Sequence, residues 1–498
     1  MHEPTKRFQL SARAGFSRHV VVIGAGPAGL TAAVQLCRHR VPVTVLEKDM
    51  LVGGIARTGE YKGYRFDIGG HRFFTKIPEV DKLWHELLDG EFLIRPRLSR
   101  IYYRHKFFDY PLRPFNAVSN LGLLTSMQVI WSYLQARVFP YLQEDTFEQW
   151  VCNRFGRKLF DIFFRSYTEK VWGLPCSEIR ADWAAQRIQG LSLPIAIKNA
   201  LLGARRENAV KTLIRQFHYP RRGPGQMWRA AQNYVEEHGG CIELKSDVVA
   251  LRHRNGRITE VITRRNGREE SFQAMDVITS MSLSELIRKF DPPAPRHVLL
   301  AADRLTYRDF LSIILIVNQP NLFPDNWIYI HEPEVRVGRV QNFKNWSPQM
   351  VPDPRTSSLG LEYFCNEGDA LWTMPDAELV ELGKREMSQI GLLSANDVID
   401  GTVIRQPKAY PVYNGSYASH LAEIKGYLSR FRNLQTIGRN GLHKYNNQDH
   451  SMLTAMLAVR NLFGGQHDLW QVNTERSYHE EIRIPAHSVF SSDEAGVV

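Results

Sequence analysis

Residues 19–48 read HVVVIGAGPAGLTAAVQLCRHRVPVTVLEK, which is an apolar segment, a glycine-rich turn, a helix rich in Ala and Leu, and a second apolar segment ending at Glu47. This order predicts a βαβ unit that binds a dinucleotide. Gly24 permits the tight turn, Gly26 lets a pyrophosphate approach the backbone, and Gly29 allows the helix to pack closely. The helix N-terminus favours phosphate. Glu47, about 20 residues on, is placed to bind a ribose hydroxyl.

A second glycine pair narrows the choice of dinucleotide. Gly53 and Gly54 lie in MLVGGIARTG and are followed by Arg57. This extension resembles the two-dinucleotide-binding-domain flavoproteins, a class that includes amine oxidases, phytoene desaturases and protoporphyrinogen oxidases. The resemblance implies that the cofactor is FAD rather than NAD. It also implies that a distant segment, NLQTIGRNGLHKYNNQDHSMLTAMLAVRNL, closes the flavin end of the site with Gly438 and Arg439.

The composition limits the architecture and the compartment. A chain of 498 residues, 43% of them hydrophobic, is long enough for two or three structural regions. The five cysteines are scattered, odd in number and without CxxC or His-rich spacing. We therefore expect no disulfide framework and no metal site, and a cytoplasmic location.

Charge and hydropathy give few signs of partners. The net charge of +11 does not identify a partner by itself. The basic clusters at 252–257 and 264–268 each contain an Asn-Gly pair between apolar stretches, which predicts hairpin turns rather than a nucleic-acid-binding surface. The uncharged run Leu121–Ala136 is short for the roughly 20 residues of a membrane span. We expect a buried or interfacial helix there, no integral membrane segment and no nucleic-acid partner, and leave a homo-oligomer open.

These patterns predict an α/β fold with a discontinuous, Rossmann-like FAD-binding domain, a helical insertion and a mixed or antiparallel substrate sheet. Within the insertion, Phe160, Phe163, Phe164 and Tyr167 recur at helical spacing and are expected to pack in the core. The predicted segments are 18–110, 223–300 and 401–470 for the FAD-binding domain, 111–222 for the helical insertion, 301–400 for the substrate-facing sheet, and 471–498 for a C-terminal tail.

Four clusters supply candidate side chains around the cofactor. Each candidate also has an ordinary structural explanation: Trp172 suits a helical core, Arg187 an ion pair with Asp182 or Glu178, and Arg339 an ion pair with Glu332 or Glu334. The candidates are His71 in DIGGHRFF, Trp172 and Arg187 in KVWGLPCSEIRADWAAQR, Arg339 in GRVQNFKNWSP, and Tyr410 and Tyr445 in AYPVY and GRNGLHKY.

Six segments occur in an order that is similar to one flavoprotein family. They are GAGPAG, GGHRFF, KVWG with an Arg fifteen residues after its Trp, RVQNFKNWSP, a Tyr-Pro pair, and GR with a Tyr six residues after its Arg. Together they resemble the UDP-galactopyranose mutases, and the arginine and NWSP segments look more like the eukaryotic type than the shorter bacterial type.

The resemblance implies a nucleotide-diphosphate sugar as substrate. Arg187 and Arg339 would hold the diphosphate, Tyr410 and Tyr445 would donate hydroxyls to it, and Trp172 would lie beside the substrate. The chemistry agrees, because two guanidinium groups suit a doubly anionic diphosphate better than flexible lysines do.

The resemblance also implies an unusual reaction for a flavoprotein. His71 would lie against the flavin, and Arg439 would contact FAD. The N5 atom of reduced FAD would attack the anomeric carbon, and the pyranose and furanose forms of the sugar would interconvert without net redox change. NADPH or NADH would serve only to reduce the flavin. His71, Arg187 and Arg339 are therefore the expected catalytic residues.

One departure from the mutase pattern keeps other functions open. Where the mutases carry a second histidine after the first, HRFFTK has Phe74 and Lys76 at the candidate positions. The alternative is an FAD-dependent oxidoreductase of the amine oxidase superfamily, acting as an oxidase, desaturase or dehydrogenase. A nucleotide-binding protein without catalytic activity is a third reading of the basic composition.

Overall fold

The computed structural model describes residues 18–110, 112–181, 212–213, 215–474 and 481–482. The strands are numbered in chain order. They are β1 Val20–Ile23, β2 Val43–Leu46, β3 Thr58–Tyr61, β4 Tyr64–Asp67, β5 Phe92–Pro96, β6 Ser99–Tyr103, β7 Lys106–Asp109, β8 Thr212–Leu213, β9 Gln216–Pro220, β10 Cys241–Glu243, β11 Asp247–Arg254, β12 Arg257–Arg265, β13 Arg268–Gln273, β14 Asp276–Thr279, β15 Phe290–Asp291, β16 Tyr307–Val317, β17 Trp327–Ile330, β18 Arg339–Asn342, β19 Ser357–Cys365, β20 Val398–Pro411, β21 Leu434–Thr436 and β22 Glu481–Ile482.

The α-helices of the described residues are numbered in the same way. They are α1 Pro27–Arg38, α2 Pro78–Leu88, α3 Pro114–Leu121, α4 Leu123–Val138, α5 Phe147–Phe155, α6 Arg157–Phe160, α7 Ser166–Trp172, α8 Gly225–Glu237, α9 Leu283–Arg288, α10 Arg296–Arg304, α11 Phe343–Trp346, α12 Ala370–Thr373, α13 Asp376–Gln389, α14 Tyr417–Leu428 and α15 Gln448–Leu462.

A five-stranded sheet in the order β10-β2-β1-β14-β21 forms the first core, and every neighbouring pair in it is parallel. The strand β1 reads VVVI and is buried along its whole length. Such a run without polar alternation suits a parallel sheet that helices cover on both faces. The helices α8 and α15 both pack against α1. The predicted Rossmann-like α/β fold is confirmed.

A seven-stranded sheet in the order β20-β16-β19-β18-β17-β6-β7 forms the second core. It is mixed, because β17 pairs in parallel with β6 while β16, β18 and β19 pair antiparallel. Two of its parts lie outside the segment predicted for it: β6 and β7 fall in 18–110, and residues 401–411 of β20 fall in 401–470. Both join this sheet because their backbone groups pair there, β20 with β16 and β6 with β17.

The basic clusters form hairpins, as predicted. The strands β11, β12 and β13 are antiparallel neighbours, and their turns are Asn255-Gly256 and Asn266-Gly267. All four turn residues have positive φ. That conformation favours Asn-Gly in two-residue hairpin loops.

The helices α3 to α7 follow the first FAD-binding segment. The uncharged run predicted as a buried or interfacial helix lies mainly on α4, where Ser126 and Val129 are buried but Leu123, Leu124 and Trp131 are exposed. A fully buried placement is therefore wrong. In the described part of the chain, no helix is both long and apolar enough to cross a membrane.

Candidate functional site at the junction of the two sheets

The turn after β1 is shaped for a close backbone approach. Gly24 has a φ of 97°, which a residue with a side chain adopts only under strain. A Cβ added to Gly29 would lie 1.7 Å from the carbonyl oxygen of Gly24. The first turn of α1 therefore packs directly on the glycine turn, and its N-terminus lies where a pyrophosphate binds in this type of fold.

The second glycine pair faces the first turn. The amide of Gly53 donates to the carbonyl oxygen of Ala25 at 2.8 Å. A Cβ on Gly54 would lie 3.2 Å from the Cα of Gly26. Nη1 of Arg57 donates to the carbonyl oxygen of Gly54 at 2.8 Å. The two glycine segments thus form a cradle that side chains would fill, which fits the pyrophosphate of a dinucleotide.

Glu47 ends β2 at the same turn. Its carboxylate accepts hydrogen bonds from the amide of Ala25 at 2.6 Å and from the amide of Asp49 at 2.9 Å. Burial raises the pKa of Glu47, while the two amides oppose that shift. An acidic residue at this strand end is the usual partner of a ribose hydroxyl in dinucleotide-binding folds.

Gly438 and Arg439 bring a third segment to the cradle. A Cβ on Gly438, whose φ is 82°, would lie 3.1 Å from the Cβ of Ala28 in α1. Arg439 donates from Nε to the carbonyl oxygen of Asn446 and from Nη1 to that of Ala409, both at 2.9 Å. The end of β21 therefore meets the start of the dinucleotide-binding helix, although hundreds of residues separate them in sequence.

His71 lies where the two sheets meet. A Cβ on the preceding Gly70 would lie 3.0 Å from Nε2 of Gln341 in β18. Burial lowers the pKa of His71 to about 4, and the positive charges of Arg439 and Arg339 lower it as well. His71 is thus neutral at neutral pH and lies in the positive field of both arginines.

Asp67 is a residue of the site that the sequence did not single out. It ends β4, and its Oδ1 accepts a hydrogen bond from the hydroxyl of Tyr219 at 2.7 Å. Its Oδ2 lies 3.4 Å from the amide nitrogen of His71. Burial raises the pKa of Asp67 to about 8. This carboxyl group therefore connects the Gly-Gly-His segment to Tyr219 on β9.

Arg339 has a carboxylate partner from the neighbouring strand. Arg339 and Glu362 lie opposite each other on β18 and β19. Nε of Arg339 donates to Oε2 of Glu362 at 2.6 Å, and Nη2 contacts the same oxygen. Burial by itself would lower the pKa of Arg339, but the negative charge of Glu362 outweighs this effect and raises the pKa above its usual value, so Arg339 stays charged. Pairing with Glu332 or Glu334, the alternative from the sequence, is wrong.

The rings of two tyrosines pack against the guanidinium group of Arg439. The rings of Tyr410 and Tyr445 stack with centroids 5.4 Å apart, and the Arg439 guanidinium lies 5.5 and 5.0 Å from the two centroids. The buried ring of Trp172 lies 6.5 Å from that of Tyr445. Burial raises the pKa of Tyr410, so its hydroxyl stays a donor. The structure therefore brings together Trp172, Tyr410, Tyr445 and Arg439.

Tyr167 joins this site rather than only the helical core. Its ring stacks on His331 with centroids 5.0 Å apart and meets Tyr329 edge-on at 5.4 Å. Burial raises its pKa, and the charge of Arg339 opposes that shift. The residue follows a π-helical turn, Asp161–Arg165, and such turns are frequent at functional sites. The helical spacing of the aromatic residues concealed this role.

Lys170 fixes α7 against the seven-stranded sheet. Its Nζ donates to the carbonyl oxygens of Ile330 at 3.4 Å, Val337 at 3.2 Å and Glu332 at 2.5 Å. Burial lowers the pKa of Lys170 to about 8. The lysine thus holds the helix that carries Tyr167 and Trp172. Arg187, the other arginine predicted for the site, lies outside the described residues.

The five-stranded parallel sheet and its facing glycine segments define an α/β protein of the dinucleotide-binding class. The flavin-containing amine oxidoreductase family matches residues 27–443, and the chain belongs to this family. The protein is therefore an FAD-dependent enzyme, and the cofactor class expected from the sequence is confirmed.

Comparison with solved structures and curated proteins gives two different kinds of neighbour. A crystal structure of reduced UDP-galactopyranose mutase superposes with a TM-score of 0.77 at 21% identity, covering 93% of this chain and 99% of that one. All-trans-zeta-carotene desaturase of Myxococcus xanthus is 43% identical over 58 residues, 10% of this chain and 11% of its own. Protoporphyrinogen oxidase 2 of Arabidopsis thaliana is 27% identical over 163 residues, 31% and 32% of the two chains. The chain thus matches no more than a third of the length of these curated relatives.

Proposed function

We propose that the protein is a flavin-dependent sugar-nucleotide mutase that interconverts the pyranose and furanose forms of a nucleotide-diphosphate sugar. The observation that carries the proposal is the charged, partly exposed Arg339, whose positive charge acts with that of Arg439 on the neutral His71. The stacked rings of Tyr410 and Tyr445 lie beside Arg439. The similarity in fold to a UDP-galactopyranose mutase over nearly the whole of both chains supports it.

The glycine cradle would hold FAD, which in its reduced form would supply a nucleophilic nitrogen, and His71 would lie against the flavin. NADPH or NADH would be needed only to reduce it. The residues proposed to hold FAD are Gly24, Gly26, Gly29, Glu47, Gly53, Gly54, Arg57, His71, Gly438 and Arg439.

Arg339 and Arg439 have different partners in the protein, so they differ in what they can offer a diphosphate. Arg339 uses Nε and Nη2 for Glu362, which leaves Nη1 for a phosphate oxygen. Arg439 uses Nε and Nη1 for backbone carbonyls. Arg339, Arg439 and Glu362 together carry one net positive charge, whereas the diphosphate of a nucleotide sugar carries two negative charges. Arg187 supplies the missing charge in this proposal.

The remaining side chains position the sugar. Tyr410 and Tyr445 donate neutral hydrogen bonds to the diphosphate, and Trp172 packs against the sugar or the base. Arg187 and Arg339 hold the diphosphate after it leaves the anomeric carbon and keep it in place for its return. Confining the leaving group in this way makes the return step effectively intramolecular.

An FAD-dependent oxidoreductase is the second candidate. Glu362 favours it, because a carboxylate that neutralises Arg339 makes the pocket less suited to a dianion. The family description and the desaturase and oxidase names of the curated relatives point the same way. This candidate predicts that a substrate reduces the flavin and that oxygen or a quinone then reoxidises it.

Product analysis distinguishes the two candidates. Dithionite-reduced protein is incubated with UDP-galactofuranose and other furanose donors, and chromatography measures the pyranose product. Activity is expected with reduced protein and not with oxidised protein. Arg187→Ala should weaken substrate binding by about 2 kcal/mol or more, whereas Arg268→Ala, an exposed change in the β12–β13 hairpin, should not. Absence of a pyranose product from every donor, with FAD bound, refutes the mutase proposal.

A further inference from the structure

Three potential metal ligands, none of them among the residues proposed to bind FAD or substrate, converge on α2 and β9. Asp81 and His85 are one turn apart on α2, and His218 lies on β9. One ligand atom from each residue lies within 4.8 Å of the other two. Among the described residues, no other group of three or more His, Cys, Asp or Glu side chains has this geometry. The large separation in sequence explains why residue spacing predicted no metal site.

The two histidines are arranged as metal ligands commonly are. Their rings meet edge-on with centroids 5.2 Å apart, and each lies 5.5 Å from the ring of Phe92. Nδ1 of His85 lies 2.8 Å from the carbonyl oxygen of Asp81. The tautomer that donates this hydrogen bond leaves a lone pair on Nε2, and metal-binding histidines usually make such a bond with their other nitrogen.

The chemical identity of the three side chains also suits a metal ion. Two imidazoles and a carboxylate, with a solvent molecule as fourth ligand, form the donor set of many tetrahedral zinc sites.

We propose that Asp81, His85 and His218 bind a divalent transition-metal ion, with Zn²⁺ as the best match. Zinc bonds of about 2.0–2.1 Å put tetrahedral ligand atoms about 3.3 Å apart, which is closer than the present separations of up to 4.8 Å. Asp81 and His85 are exposed side chains on one helix face, so rotation of their side chains closes the difference.

Binding at this place ties α2 to the strand that supports His71. The backbone of His218 exchanges hydrogen bonds with Phe73, at 3.0 Å from its nitrogen and 2.9 Å to its oxygen. Phe73 is two residues after His71. An ion held between α2 and β9 therefore stabilises the folded chain next to the flavin junction, by mass action.

Zinc binding to the holoprotein tests the proposal. Chelator-treated protein is titrated with ZnCl₂ by calorimetry, and its thermal unfolding is followed with and without the ion. One ion per chain and a Tm that rises with zinc concentration are expected. Asp81→Asn, His85→Ala and His218→Ala should each weaken binding at least about tenfold, because even a lost outer partner of a ligand costs this much.

A matched control separates the site from adventitious binding. His238 is exposed and directly follows the last residue of α8, and its Nδ1 lies 2.8 Å from the carbonyl oxygen of Tyr234, just as Nδ1 of His85 lies 2.8 Å from that of Asp81. His238→Ala should bind zinc like the wild type. Flavin absorbance verifies that each variant is folded, and the exposed Asp81 and His85 variants carry the test if His218→Ala does not fold. Equal affinity in the wild type and these variants, or no saturable binding by the wild type, overturns the proposal.

Discussion

Replacing Glu362 by Gln should tighten the binding of a nucleotide diphosphate. Gln has nearly the same shape and keeps an oxygen that accepts a hydrogen bond from Arg339. The change removes the negative charge that lies 2.6 Å from Nε of Arg339. In the proposed function this charge repels the diphosphate, so its removal should favour the ligand.

The size of the effect follows from the geometry. A phosphate held by Arg339 lies within roughly 7 Å of Glu362, and at an effective dielectric constant of about 20 two unit charges at that distance repel by about 2 kcal/mol. This corresponds to binding about thirtyfold tighter. Without ligand the variant should be less stable, because a largely buried guanidinium loses its charged partner.

Calorimetry on the oxidised holoprotein measures the affinities for UDP and for uridine that test this prediction. UDP should bind the variant more tightly and raise its Tm by more than it raises that of the wild type. Uridine lacks the phosphates, so its affinity should be the same for both proteins. Unchanged or weaker binding of UDP by Glu362→Gln, with normal FAD content and normal uridine binding, would refute the assignment of the diphosphate to Arg339.

Three further changes test the supports of the site. Burial raises the pKa of Asp67 to about 8 from 3.8, so the folded protein keeps a proton that the unfolded chain releases above about pH 4. The free energy of unfolding should therefore fall as the pH rises from about 4 to 8, by up to about 1.4 kcal/mol per pH unit. In urea denaturation, Asp67→Asn should show a weaker dependence of this free energy on pH. Gly29→Ala places a methyl group 1.7 Å from the carbonyl oxygen of Gly24, so the purified protein should lack flavin absorbance, and normal FAD content would contradict the described turn. Lys170→Met removes the donor to three carbonyls and should lower the free energy of unfolding by about 1–3 kcal/mol in urea titrations; an unchanged value would show that these bonds contribute no net stability.

The dinucleotide-binding unit was predictable because its constraints are local. Gly24 and Gly29 are required by a turn and a helix packing that involve neighbouring residues, and the apolar run of β1 indicates a strand buried on both faces. The Asn-Gly hairpins were predictable for the same reason. Each of these features depends on a few residues that are adjacent in sequence.

Features that depend on strand register were not predictable. The partner of Arg339 is Glu362 because β18 and β19 pair in one particular register, which spacing along the chain does not reveal. Tyr167 has the helical spacing of a core residue, and only the packing of α7 against the seven-stranded sheet shows that it contacts His331 and Tyr329. The predicted segment 301–400 for this sheet was too narrow for the same reason, because β6 joins the sheet by pairing with β17, which is far away in sequence.

In the proposed function, a sugar is isomerised on a flavin that undergoes no net oxidation. The most direct measurement follows the flavin absorbance and the sugar-nucleotide product together, under anaerobic conditions, after dithionite-reduced protein is mixed with excess UDP-galactofuranose. The proposed function predicts many turnovers to the pyranose while the flavin remains reduced. Reoxidation of the flavin in step with consumption of the sugar nucleotide, or a reduced flavin with no pyranose formed, would contradict it.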